Sequence, residues 1–318
     1  MKIYRKIKIA FMLVIILAIS ANYILADDIL AGGQGGAFLR IPVGSRPAGM
    51  GNAFTAISND ASAPFFNAAG LSQISGTRIS AMYNIMSLDR MNYQASLIFG
   101  GMNNLTMALT FNNFGVDDII ECLPGEEPSG DTFGANDMAI GFSAGMKILP
   151  ILSIGGGAKY IMQAIDDKNG TGFDFDVGAM FMAPFSLGLV KNIRAGASLN
   201  NLGGTIVWDT DSDHEDEILP TLRLGASANI PLAVVDITVA ADMSQNMVDD
   251  ADKDNNAKLH LGAEGWFNHM FAVRAGLDNE DLTMGASIKL SDFRFDYAFI
   301  PDFLDEGETH KFAVEMKL

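Results

Sequence analysis

From Thr77 to the last residue, apolar side chains recur at every second position, in runs broken by Gly, Asn, Asp and Pro. A period of two is the period of a β-strand. Leu105, Met107, Leu109 and Phe111 alternate with Thr106, Ala108 and Thr110. Met138, Ile140, Phe142, Ala144, Met146 and Ile148 alternate with Ala139, Gly141, Ser143, Gly145 and Lys147. Leu282–Leu290, Phe293–Phe299 and Phe312–Leu318 repeat the pattern. Counting such runs predicts about fourteen strands. They fall near 77–84, 92–100, 104–113, 136–148, 151–161, 172–183, 192–200, 221–230, 235–243, 258–267, 270–277, 282–290, 292–299 and 309–318. Most have the roughly 9–11 residues that cross a bilayer at a tilt, and an even number suits a closed barrel.

Alternation alone also fits a soluble sandwich, which has one apolar face as well. Two features point to an all-β transmembrane antiparallel barrel instead. The second face is small and polar, as a lumen would be. The connections also sort by parity: Gly115–Ala135, Asn201–Pro220, Ser244–Ala257 and Ile300–Glu308 are long, whereas Gly101–Asn103, Leu149–Pro150, Asn268–His269 and Ser291 are tight. Long loops at one end and short turns at the other is a membrane-barrel pattern. Closure also removes exposed strand edges and satisfies backbone polar groups in lipid.

Composition narrows the alternatives. The chain has 318 residues, 33 of them Gly, which disfavours a helical bundle. Its net charge of −17 argues against nucleic acid as a partner. Cys122 is the only cysteine, so no internal disulfide can form. Residues 1–26 read as a secretory signal: Lys2, Arg5, Lys6 and Lys8 precede the apolar run Ile9–Ile19, and small residues follow. Cleavage is expected after Ala26 or near Ser20–Ala21. The apolar run is about half the length a spanning helix needs.

Residues 27–76 lie between this signal and the barrel, 77–318. Within them Phe38–Leu71, FLRIPVGSRPAGMGNAFTAISNDASAPFFNAAGL, does not alternate. Pro47 can open a short helix, with Ala48, Met50, Ala53, Phe54 and Ile57 available for packing. Asp60 and Asn67 suit turns. About fourteen strands enclose a lumen too wide for wall side chains alone, so the segment reads as an internal plug.

The same stretch resembles the N-terminal signature of the PorV/PorQ family, within the wider FadL-like barrels. Those proteins carry Asn-Pro-Ala-Gly-Leu where this chain has Asn67-Ala68-Ala69-Gly70-Leu71. The resemblance implies that the segment enters the lumen as a hatch, with Pro47, Gly49, Met50, Phe54, Asn67, Gly70 and Leu71 as its candidate residues. It implies a bacterial outer-membrane protein among outer-membrane lipid, its termini on the periplasmic side, with no cofactor and no catalysis. It further implies an accessory of type IX-like protein secretion that binds secreted cargo proteins or a translocon. The alternative is a FadL-like channel for a hydrophobic small molecule such as a long-chain fatty acid.

Parity places Arg78, Arg194, Arg223, Arg274 and Arg294 in the lumen, with Asp174, Asp176, Asp236, Asp242 and Asp296. Charges of both signs are expected to pair there, which weighs against an oily conduit. Partner contacts are then expected on the loops 115–135 and 201–220.

Four further motifs invite chemistry. Gly141-Phe142-Ser143-Ala144-Gly145 matches G-x-S-x-G, but it lies inside an alternating strand rather than at a strand-to-helix elbow. Gly155–Lys159 lacks the spacer and hydroxyl residue of a phosphate loop. Asp250, Asp252 and Asp254 space oxygen ligands as half a calcium loop does, without its Gly and distant Glu; they and Asp209–Glu217 read as solvated acidic loops. His214, His260, His269 and His310 show no metal or triad spacing. His260 is expected in the lumen, with His214 and His269 on connections.

Overall fold

A computed structural model describes residues 35–121, 130–210, 214–247, 257–301 and 307–318. The signal 1–26, Cys122 and the calcium candidates Asp250, Asp252 and Asp254 lie outside the described residues.

The strands are β1 Thr77–Ile85, β2 Arg90–Met102, β3 Leu105–Ile120, β4 Thr132–Leu149, β5 Leu152–Ile165, β6 Lys168–Met182, β7 Lys191–Trp208 and β8 Glu215–Glu217. They continue with β9 Thr221–Pro231, β10 Val235–Asn246, β11 Lys258–Phe267, β12 Phe271–Asp278, β13 Asp281–Leu290, β14 Phe293–Pro301 and β15 Glu308–Lys317. Sequence neighbours pair antiparallel, β1 pairs with β15, and β7 pairs with both β6 and β9, so 14 strands close into a barrel. The remaining strand, β8, adds onto the free edge of β7 at Thr205–Val207. The two ends of the wall meet at the short-turn end, where the Leu318 N–H donates to the Thr77 carbonyl at 2.9 Å.

Several strands outrun their expected lengths, by the most residues toward the long-loop end. β3 and β4 continue through Ile119↔Phe133 and Ile120↔Thr132, so much of the expected loop 115–135 is ladder. Likewise β7 and β8 occupy part of 201–220. The extensions escape a pattern search because they contain irregularities. The β3–β4 register shifts between Val116 and Ile119, where Asp118 has φ 57. The β6–β7 register shifts twice, beside Asn201 and Gly203 with φ 61 and 65. A bulge resets parity, so alternation stops although hydrogen bonding does not.

The outer face is apolar. Ile79, Leu109, Phe142, Phe175, Val273 and Phe295 are among its exposed large side chains. A continuous belt of this kind exceeds what a soluble monomer presents to water, and lipid is the solvent that matches it. The core is therefore inside the barrel, where three apolar clusters all join the N-terminal segment to the wall.

Candidate functional site: the plugged lumen

The N-terminal segment enters the lumen in short pieces. Helical turns at Ala37–Arg40, Ser45–Ala48, Ala63–Phe66 and Ala68–Gln73 are joined by tight bends. Pro47 lies within the second turn, which begins at Ser45 rather than at the proline. Gly44 and Gly51 supply φ of 99 and 59, conformations that other residues adopt only with strain. Ala48, Met50, Ala53, Phe54, Ala63 and Leu71 are fully buried. Phe54 and Phe66 meet edge to face at 5.5 Å. Asn67 ties the bends together. Its side chain accepts from the Ala69 N–H and donates to the carbonyls of Thr55 and, on the adjoining wall strand β6, Ala179.

This hatch rests on a ring of inward-facing glycines. Gly262 and Gly276 face Met50 and Gly51, and Gly285 faces Gly49. Gly196 and Gly225 face Thr55; Gly145, Gly155 and Gly178 face Asn67–Leu71. A Cβ at Gly285 would stand 3.2 Å from Gly49 Cα, and one at Gly145 would stand 2.9 Å from Leu71 Cβ. Absence of side chains lets hatch backbone approach wall backbone. The G-x-S-x-G and Gly155–Gly157 runs each give the seat one glycine, Gly145 and Gly155, whereas Gly141 and Gly157 meet neighbouring strands.

An ion network clamps the hatch. Arg46 meets Glu264 of β11 with two bonds of 2.8 and 2.7 Å, and reaches Asp60 at 3.1 Å. Arg274 joins Glu264 at 2.6 Å and Asp296 at 3.3 Å. Arg294 bridges Asp296 at 2.8 Å, Asp60 at 3.2 Å and Glu315 at 3.5 Å. Arg78 ends the chain on Glu315 at 2.7 Å. Arg46, Arg78, Arg274 and Arg294 balance Asp60, Glu264, Asp296 and Glu315, so the network is neutral. Burial works against charge on Arg46, but Glu264 and Asp60 outweigh it and hold its guanidinium above the ordinary value. Burial likewise opposes charge on Asp60, and Arg294 and Arg46 overcome it, so its carboxyl is held below the usual range.

Two wall groups hold hatch backbone directly. The Asp242 carboxylate accepts from the N–H groups of Phe54 and Thr55 at 2.7 and 2.6 Å. His260 Nδ1 lies 3.1 Å from the Gly51 carbonyl and 2.7 Å from Asp278, with Nε2 2.7 Å from Ser244.

Above the hatch, toward the long-loop end, the lumen changes character. Phe38, Leu39 and Ile41 fill an apolar compartment walled by Ala139, Ile161, Ile206 and Ile218, with Phe114 and Trp208 beside them. Few polar contacts hold this stretch. The Gly36 N–H donates to Gln163 at 3.1 Å, and Gly35 bridges to Ile218. Beneath the compartment Lys159 pairs with Asp174 and Asp176 at 3.2 and 3.1 Å, and with the Asn201 side chain at 2.7 Å.

The expected lumen charges thus occupy different places. Arg78, Arg274, Arg294 and Asp296 belong to the clamp, Asp242 grips the hatch, and Asp174 and Asp176 flank Lys159. Arg223 lies over the Phe66 ring at 5.2 Å, and Arg194 reaches Asn229 at 3.3 Å. Asp236 sits on the short-turn rim, half-exposed beside His269 at 3.4 Å. Sequence reasoning missed Arg46, Asp60, Glu264, Glu315 and Lys159 as partners. The parity that placed His260 in the lumen applies equally to Glu264, so that signal was present.

No family model matches the sequence, and no curated protein matches it. Solved structures match in shape. The toluene transporter TbuX of Ralstonia pickettii aligns with TM-score 0.58 at 11% identity, over 87% of this chain and 98% of that one. The P. putida toluene transporter TodX aligns with TM-score 0.58 at 9% identity, over 86% and 96%. A Pseudomonas aeruginosa FadL homologue aligns with TM-score 0.50 at 9% identity, over 86% and 97%. Identities this low establish the fold alone: the chain is a FadL-like barrel in architecture.

Proposed function

We propose that the protein is an outer-membrane channel for hydrophobic small molecules, with the long connections facing outward. The observation that carries this reading is the apolar compartment toward the long-loop end of the lumen, filled by the chain's own Phe38, Leu39 and Ile41. A space that accepts these side chains suits an aromatic or alkyl ligand of similar size. The likeness to TbuX, TodX and the CymD monoaromatic hydrocarbon channel points the same way. Trp208 packs against the compartment and Trp266 is the only other tryptophan. A Trp266→Phe variant in detergent therefore reports on the site by fluorescence. Saturable quenching by toluene or a long-chain fatty acid, strengthened in Phe38→Ala, is the expected result. No saturable response in either protein would overturn the reading.

A second reading keeps the PorV/PorQ resemblance: a non-catalytic accessory of protein secretion whose lumen never conducts. The full burial and ionic clamping of the hatch favour it. Here the tips of 115–135 and 201–220 carry the contacts with exported proteins or a translocon. Trimming either tip and losing a partner in a membrane pull-down supports it; retaining every partner removes it.

A further inference from the structure

Charge is distributed unevenly along the barrel axis. The long-loop end carries Asp117, Asp118, Asp166, Asp167, Glu215 and Glu217, in keeping with a strongly acidic chain. The short-turn end is the reverse: Arg78, Lys147, Lys191, Arg194, Lys289 and Lys317 stand against Asp236 and Asp292. Three of these, Arg78, Lys289 and Lys317, gather where the strands β11 to β1 meet the mouth. There a cavity of about 400 Å³ opens below the hatch, lined by Arg78, Lys289, Arg294 and Lys317, with Trp266 on its wall. Asp292 and Glu315 are the carboxylates in that lining, so the cavity is net positive.

The pairing pattern explains the convergence. Arg78 stands opposite Lys317, Lys289 opposite Arg294, and Arg294 opposite Glu315, all on the inward face. Glu315 is already engaged by Arg78 and Arg294. The ammonium groups of Lys289 and Lys317 have no ion-pair partner among the described residues, and both residues are exposed and line the cavity. Four cations against two carboxylates leave a positive local potential, and a concave wall focuses it. Trp266, already under Arg274 at 5.8 Å, offers an aromatic surface next to these cations.

We propose that this mouth is a binding site for a small anionic ligand: a carboxylate or phosphate group, met by Lys289 and Lys317, joined to a flat apolar part that lies on Trp266. The site is separated from the apolar compartment by the whole hatch, so it stands whether or not that compartment takes a ligand.

Trp208→Phe leaves Trp266 as the single reporter. Its emission is titrated with phenyl phosphate and with phenylacetate, against sodium chloride at matched ionic strength. The expected result is a saturable change with at least one of the two, and the tighter of them identifies the head group. Lys289→Gln with Lys317→Gln should weaken it about tenfold or more, because hydrogen bonds to charged groups are the stronger kind. Lys289→Arg with Lys317→Arg should retain it. Both lysines are exposed, so these changes leave folding intact, which the unchanged unfolding midpoint checks. A response reproduced by sodium chloride, or equal in the glutamine and parent proteins, overturns the proposal.

Discussion

The hatch and the stretch that precedes it both pack apolar side chains in the lumen, yet directional contacts hold the first far more than the second. Residues 42–74 are locked by backbone-to-backbone contact on glycines, by carboxylates that grip N–H groups, and by a neutral network of four arginines with four acids. Residues 35–41 are held by apolar side chains in an apolar compartment, with few polar ties. Directional contacts fix one arrangement, whereas apolar burial accepts any filler of suitable size. The lower half of the lumen is thus fixed by directional contacts and the upper half mainly by apolar packing.

The sharpest way to break this contrast is to remove a charge from the clamp. Glu264→Gln leaves Arg46 and Arg274 without their shared partner, and should destabilise the barrel by about 3–5 kcal/mol, read by urea unfolding in detergent. A loss no larger than that of an exposed substitution would mean the network is ornamental. Next in size, Gly276→Val drives a side chain into Met50 and Gly51, and should cost about 1–3 kcal/mol. Acid acts on the same clamp. Because Asp60 is held below its ordinary value, its contribution is fully present above an unfolded pKa of about 3.9. It is lost as pH falls through the lower folded value. Protease protection of the hatch should therefore persist to about pH 4 and decline only below it; earlier loss would show that another group controls the hatch.

Above the hatch, Phe38→Ala should move the unfolding midpoint less than Glu264→Gln while admitting hydrophobic ligand more readily. Equal destabilisation by the two would erase the distinction between the halves. The smallest effect is expected at Ala68→Pro. Asn67 has φ −157 and ψ 103, the extended conformation that a following proline favours. Position 68 opens a helical turn, where a missing N–H costs nothing. The change should stabilise by about 0.4–1 kcal/mol; a lower midpoint would mean that Ala68 is needed for its seat on Gly145 and Gly155.

Strand identity was legible because lipid outside and polar contacts inside impose opposite demands on neighbouring residues. All the expected strands appear, with β8 as the addition. The wall toward the long-loop end was not legible: Asp118 and Asn201 bring bulges that reset the alternation. The charges were readable one at a time, but parity cannot show which acid meets which arginine. Arg46 and Glu264 lie 218 residues apart, and only closure brings them together. The inward glycines read as filler because their purpose is a surface that exists only when the hatch is seated.

That seat also constrains how the molecule is assembled. Its glycines come from β4, β5, β6, β7, β9, β11, β12 and β13, whereas the seam between β1 and β15 joins the ends of the wall. Contacts spread over such separations are slow to form, because loop closure precedes any gain from them. The hatch, first in sequence, finds its complete partner surface only after most of the wall exists. A sheet that curls around the hatch, as cloth is wound on a mandrel, before its last seam is hydrogen-bonded would meet that demand.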